Sequence, residues 1–216
     1  PDHYLLRMLY SQGIGLESLG LSPSGSAQAS VDPAGVWQLF GENYHLFRGT
    51  PTGLWMDHVL GVVFGIEQRL DAESAATIYD EINRLLATPE FLPRALFERF
   101  NIEVIATTES PLDSLAAHLK LQDDTWPGRV ITAFRPDPVL DPEYEGFADN
   151  IAELARLSGE PCDSYASYLD ALRERRAFFK SLGATSTDHG HPSARTADLE
   201  HGECERLFQG ALLGRL

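Results

Sequence analysis

Arg129 to Asp137 reads RVITAFRPD, and the fold turns on how that stretch is read. Val130, Ile131, Ala133 and Phe134 make a short apolar run rich in β-branched and aromatic types, the composition of a buried strand. The run stops on Arg135, Pro136 and Asp137. A turn accounts for the proline and the aspartate, but not for an arginine at the C-terminal edge of a core strand. Two other stretches repeat the pattern. IEVIATTESP (102–111) predicts a strand ending on Thr107, Thr108 and Glu109, and GATSTDHGH (183–191) predicts one ending on Asp188, His189 and Gly190.

Helical patterns separate these strands. Ser110, Pro111 and Asp113 give an N-cap, a proline at the first helical position and an acid three residues after the cap, so LDSLAAHLKL is expected to be helical from there. YEGFADNIAELARLSG (144–159) predicts a helix ended by Gly159, another runs from near Ser164 to Gly183, and residues 196–213 predict one more. Strands alternating with helices of this length indicate βα units and a parallel sheet. Such folds collect functional groups at the C-terminal ends of their strands. Three polar endings argue for one shared site with Arg135 facing a substrate; the alternative is a surface arginine paired with Asp137.

The first hundred residues read differently. Residues 1–12 predict a helix with Leu5, Leu6, Met8 and Leu9 on one side, and residues 20–35 a proline-punctuated loop. Trp37 to Ile66 is aromatic-rich and helix-like, with Trp55 expected in the core and His58 on a helix surface. Asp71 is expected to cap a helix carrying Ala75, Ile78, Tyr79, Ile82, Leu85 and Leu86. No strand is predicted before about residue 102. The expected organisation is a mainly helical region, 1–100, followed by strand–helix units over 101–216.

Composition narrows the function. The chain has 216 residues and a net charge of −15, from 17 basic against 32 acidic residues. Nucleic-acid binding normally needs a basic face, so it is not expected. An anionic ligand is repelled at long range, and a local arginine would have to hold it, since guanidinium matches carboxylate as a planar fork. No apolar run reaches the ~18 residues of a membrane span. No basic and apolar leader opens the chain, so no signal peptide is expected, and a start at Pro1 suggests sequence upstream. Cys162 and Cys204 suit a reducing cytoplasm rather than a disulfide framework, and Cys204 is expected to be inert.

Other constellations have ordinary readings beside chemical ones. His189 and His191 could form a metal pair alternating along a strand, but Gly190 suggests that the strand has already turned. Asp2, His3 and Tyr4 bring proton-transfer groups to the start of a helix, where Asp2 would also serve as an N-cap and Tyr4 as an amphipathic packing residue.

PDHYLLRML, WMDHVLGVVFGI, FNIEVIATTESPLDSLAAHLKL, RVITAFRPD and GATSTDHG, in that order, resemble the uronate (glucuronate) isomerases of the amidohydrolase superfamily. The resemblance runs over essentially the whole chain. It implies a (β/α)₈ barrel, of which this chain would hold about three βα units after a helical insertion. It also implies an aldose–ketose isomerase that interconverts D-glucuronate with D-fructuronate, and D-galacturonate with D-tagaturonate, through an enediol. His3 and Tyr4 then fall in the active site, Tyr4 moving the proton, and Arg135 holds the uronate carboxylate with Asp188 and His189 lining the pocket. A divalent metal, usually zinc, is implied, with no ligands within this chain. Glu109 stands where the family usually has aspartate, and His191 where an apolar residue is commoner.

Family chains are considerably longer, with metal-binding and strand-end residues that have no counterpart here. The chain therefore reads as an internal fragment, expected to be inactive alone because its sheet would be left with open edges. A homo-oligomer is compatible with the sequence. Two alternatives remain: another amidohydrolase-type metal-dependent barrel enzyme, or a non-catalytic sugar-acid-binding module.

Overall fold

A computed structural model describes residues 3–21, 32–191, 193 and 195–215, apart from the His3 side chain. The chain forms two compact units, 1–98 and 99–216.

Among its described residues the first unit is built from helices without a β-strand. Helix α1 (His3–Ser11) buries Leu6 and Leu9, with Leu5 and Met8 packed beside them. Helix α2 (Pro33–Glu42) starts on Asp32, whose carboxylate accepts the Ala34 N–H at 3.1 Å while Pro33 fills the first turn. Thr50 and Pro51 repeat this device for α3 (Pro51–His58), where Thr50 Oγ1 accepts the Gly53 N–H at 3.0 Å. Gly53 is required by close approach, because a Cβ there would lie 2.2 Å from the Phe47 carbonyl oxygen. Helix α3 runs on into a π-helical turn over Val59–Val63. The core joins Phe40, Tyr44 and Phe47 in edge and stacked contacts. Helix α4 (Ala75–Leu86) is tied to α2 by the Trp37 indole, which donates to the Ala75 carbonyl at 2.8 Å. A short α5 (Pro93–Arg99) follows.

Three expectations here need correction. Ser74, not Asp71, is the N-cap position of α4; the Asp71 carboxylate instead accepts the N–H groups of Glu73 and Ser74, closing the turn before the helix. Trp55 is 53% exposed rather than buried, because Gly53, Met56 and Leu60 take the inward positions of that helix. Of the expected 20–35 loop, residues 22–31 lie outside the described residues, and its last three residues, from Pro33, already belong to α2 because Asp32 caps the helix there.

The second unit is α/β. Strands β1 (Ile105–Glu109) and β2 (Val130–Phe134) pair in parallel, Ile105 with Val130 through Glu109 with Phe134. Helix α6 (Ala116–Gln122) connects them. After β2 come a short α7 (Asp137–Leu140), α8 (Phe147–Ser158) and α9 (Tyr165–Ser181). The third predicted strand is reduced to one parallel bridge, Phe134 with Thr187. It is held by the Phe134 N–H to the Ser186 carbonyl at 3.1 Å and the Asp188 N–H to the Phe134 carbonyl at 3.0 Å. The last helix, α10 (His201–Leu212), packs on α8 and α9 around Ile151, Leu154, Tyr168 and Phe208. Ser164 caps α9 in a reciprocal box with Ser167, and Gly159 ends α8.

The helix after β1 begins at Ala116, five residues later than Pro111 predicts. Arg175 of α9 supplies the reason. Arg175 is 7% exposed, and its guanidinium donates to the Pro111 carbonyl at 2.7 Å and the Asp113 carbonyl at 2.8 Å, two acceptors that a helix starting at Pro111 would have used itself. Ser110 and Asp113 therefore cap a turn, and Leu115 enters α6 at φ 53°.

Candidate site at the strand ends

Side chains alternate across a parallel sheet, and paired residues share a face. Thr107, Glu109, Thr132 and Phe134 therefore lie on one face, and Thr108, Ala133 and the following Arg135 on the other. Helices cover the first of these: Phe134 meets Phe179 of α9 edge-on at 5.1 Å, and His118 of α6 reaches Thr107.

This separates two strand ends that look equivalent in the sequence. The Glu109 carboxylate turns to the helix-covered face, where Oε2 accepts the Thr107 hydroxyl at 2.9 Å and the Thr132 hydroxyl. His118 Nε2 lies 2.9 Å from Thr107 Oγ1. With the Thr107 proton given to Glu109, His118 Nε2 is the donor to Thr107 Oγ1; His118 Nδ1 is buried and has no hydrogen-bond partner. Thr107, Thr132, Glu109 and His118 thus tie β1, β2 and α6 together beneath the sheet.

Arg135 belongs to the other face. Its backbone N–H continues the ladder to the Glu109 carbonyl at 2.9 Å, and its side chain is 48% exposed. Nε donates to Asp137 Oδ2 at 2.9 Å, while Nη2 lies 3.7 Å from Asp188 Oδ2, a charge contact beyond hydrogen-bond length. The second oxygen of Asp137 accepts the Gly190 N–H at 2.8 Å. A cleft of about 600 Å³ opens here, lined among others by Ser110, Arg135, Asp137, Asp141, Tyr144 and His191.

Arg135 and Asp188 are therefore brought together, with the pairing to Asp137 that a surface arginine would also show. His189 lies beside His191, ring centroids 5.7 Å apart, but His191 is the one that lines the cleft. Tyr4 is on the first unit, 66% exposed on α1; the side chain of His3 lies outside the described residues. Among the described residues no group of three or more His, Cys, Asp or Glu is placed to hold a metal ion. Sequence reasoning missed Ser110, Asp141 and Tyr144 as lining residues, and read Asp137 as a turn residue or a surface ion-pair partner of Arg135 without its contact to Gly190.

A parallel strand pair with connecting helices, carrying an arginine–aspartate cleft at its C-terminal ends, defines an α/β chain with a strand-end site. The chain belongs to the glucuronate isomerase family, whose pattern matches residues 1–215. It is 58% identical to a uronate isomerase of Rhizorhabdus wittichii over 208 residues, 96% of this chain and 43% of that protein. Against a uronate isomerase of Sphingopyxis alaskensis the identity is 59% over 212 residues, 96% of this chain and 44% of the relative. The crystal structure of glucuronate isomerase from Caulobacter crescentus matches with a TM-score of 0.90 at 48% identity, covering 100% of this chain and 45% of that one. A uronate isomerase structure from Thermotoga maritima, at 24% identity and a TM-score of 0.84, shares the fold. The chain thus spans less than half the length of these relatives. No helix among its described residues is long and apolar enough to cross a membrane.

Proposed function

We propose that these residues form part of a uronate isomerase of the amidohydrolase type, in which the second unit contributes βα units to a (β/α)₈ barrel and the first is a helical insertion. The reaction interconverts D-glucuronate with D-fructuronate and D-galacturonate with D-tagaturonate, in a cytoplasmic enzyme. The observation that carries the reading is Arg135: a half-exposed guanidinium at a strand end, beside a cleft, in a chain of this family.

Arg135 anchors the uronate carboxylate through the guanidinium edge that Asp137 leaves open, and Asp188 and His189 border the same strand end. On the family resemblance, His3 and Tyr4 are the catalytic pair, with Tyr4 as the proton shuttle. A base removes the C2 proton, the electron pair forms the C1–C2 double bond of the enediol, and the C1 carbonyl oxygen takes up a proton. Return of a proton to C1 and loss of the O2 proton give the ketose. One group acting on one face can serve both carbon steps.

The divalent ion that the family resemblance implies, zinc in the usual case, does not fit the described residues by themselves. Its ligands would come from elsewhere in the complete protein, and no step is derived through it. Charge balance supports a contribution from elsewhere: Asp137 and Asp188 face the one guanidinium and Asp141 lines the same cleft, so a uronate needs additional positive charge to bind well. The alternatives, another metal-dependent barrel enzyme or a sugar-acid-binding module, predict no exchange of the C2 hydrogen.

The test uses a protein of the relatives' full length carrying this segment. Wild type should isomerise D-glucuronate and exchange its C2 hydrogen with solvent deuterium, and Tyr4→Phe should lose most of that exchange. Undiminished exchange in Tyr4→Phe would move the shuttle to another group. Absence of turnover in wild type would overturn the functional reading.

A further inference from the structure

Asp137 meets two donors from distant parts of the chain. Oδ2 accepts from Arg135 Nε at the end of β2, and Oδ1 accepts from the Gly190 N–H, 53 positions further on. One carboxylate thereby fixes both the plane of the guanidinium and the loop that presents His191. With Nε–H committed to Asp137, the Nη1 and Nη2 hydrogens remain as the fork that a carboxylate can grip. Asp188 stands against that edge at 3.7 Å, so an incoming carboxylate can take its place without disturbing Asp137.

We propose that Asp137 is a positioning residue for the substrate carboxylate clamp: it does not touch the uronate, but holds Arg135 and the loop at Gly190 in the arrangement that receives it. This rests on the reading of Arg135 as the uronate anchor. The two N–H donors meet different oxygens of Asp137, so both of its acceptor atoms are in use. Asparagine has one acceptor oxygen and a donating amide nitrogen, so Asp137→Asn keeps the size of the side chain while losing one contact and the charge.

The experiment measures kcat and KM for D-glucuronate in the full-length protein, for wild type, Asp137→Asn, Arg135→Lys and the double variant. Asp137→Asn should raise KM roughly tenfold or more, with kcat within about threefold of wild type, because a loosened clamp weakens substrate and transition state alike. In the Arg135→Lys background, where no Nε–H remains, Asp137→Asn should add little. Should Asp137→Asn fail to fold, Asp137→Glu, with its acceptors displaced by one methylene, is read in the same way. Wild-type KM in Asp137→Asn, an equal loss in both backgrounds, or failure of both Asp137 variants to fold would overturn the inference. Wild-type kinetics in Arg135→Lys would defeat the anchor reading itself. An impaired Arg135→Lys beside an unimpaired Asp137→Asn would defeat only the positioning role.

Discussion

Glu109 and Arg135 leave neighbouring parallel strands one residue apart in register, both charged and both at a C-terminal end, yet their surroundings differ. Glu109 is enclosed by two threonine hydroxyls and a buried histidine on the helix-covered face. Arg135 emerges on the opposite face at the edge of a cleft, restrained at Nε and open along its outer edge. The difference teaches that reaching a strand end is not enough to make a residue functional. Sheet face decides whether a charge is used to join elements or is presented to a ligand.

The comparison breaks first at Arg135. Arg135→Lys, in a full-length protein, should lower kcat/KM for D-glucuronate about hundredfold, since charge survives but the bidentate fork does not. Steady-state kinetics measure this, and the melting temperature should barely move.

Thr132→Val should show the reverse. It preserves shape but removes a buried donor to the Glu109 carboxylate, costing about 2 kcal/mol in chemical denaturation. Activity per folded molecule should stay near wild type. His118→Leu should cost less, about 1 kcal/mol or under, because it also removes the orphaned Nδ1. If His118→Leu proves the more damaging of the two, the His118–Thr107 contact outweighs the Thr132–Glu109 one in joining these elements.

The smallest effect is expected at a short but exposed surface ion pair. Arg156 donates to Glu153 at 2.6 Å on the exposed face of α8, and that hydrogen bond holds the Glu153 carboxyl below its ordinary range. A depressed carboxyl stabilises only above its unfolded pKa and loses that contribution as pH falls through the folded value. Arg156→Ala should leave the melting temperature at pH 7 unchanged within error, because solvent screens both partners. A clear drop would mean that distance rather than burial ranks these contacts.

Much of this was legible in the sequence. VITAF is a strand because its apolar run is short and β-branched, and Ser164 and Gly159 bound helices where their cap chemistry says they should. Glu109's direction was legible too, had the alternation from Thr107 been followed to the end of β1. Other features depend on partners far along the chain. Arg175 takes the Pro111 and Asp113 carbonyls from 64 and 62 positions away, delaying a helix whose local signals point to an earlier start. GATSTDHGH makes a single bridge to β2 rather than a strand, and Asp137's second contact requires Gly190. Local pattern carries no information about such distant donors.

The most direct test of the division between the two strand ends is kcat/KM for D-glucuronate in Glu109→Gln, measured in a full-length protein and scaled to folded enzyme. Glutamine keeps an oxygen able to accept from Thr107 and Thr132 but removes the negative charge. If Glu109 only joins β1, β2 and α6, kcat/KM stays within about threefold of wild type. A loss comparable to that of Arg135→Lys would contradict the account, and would place Glu109 in the chemistry with Arg135.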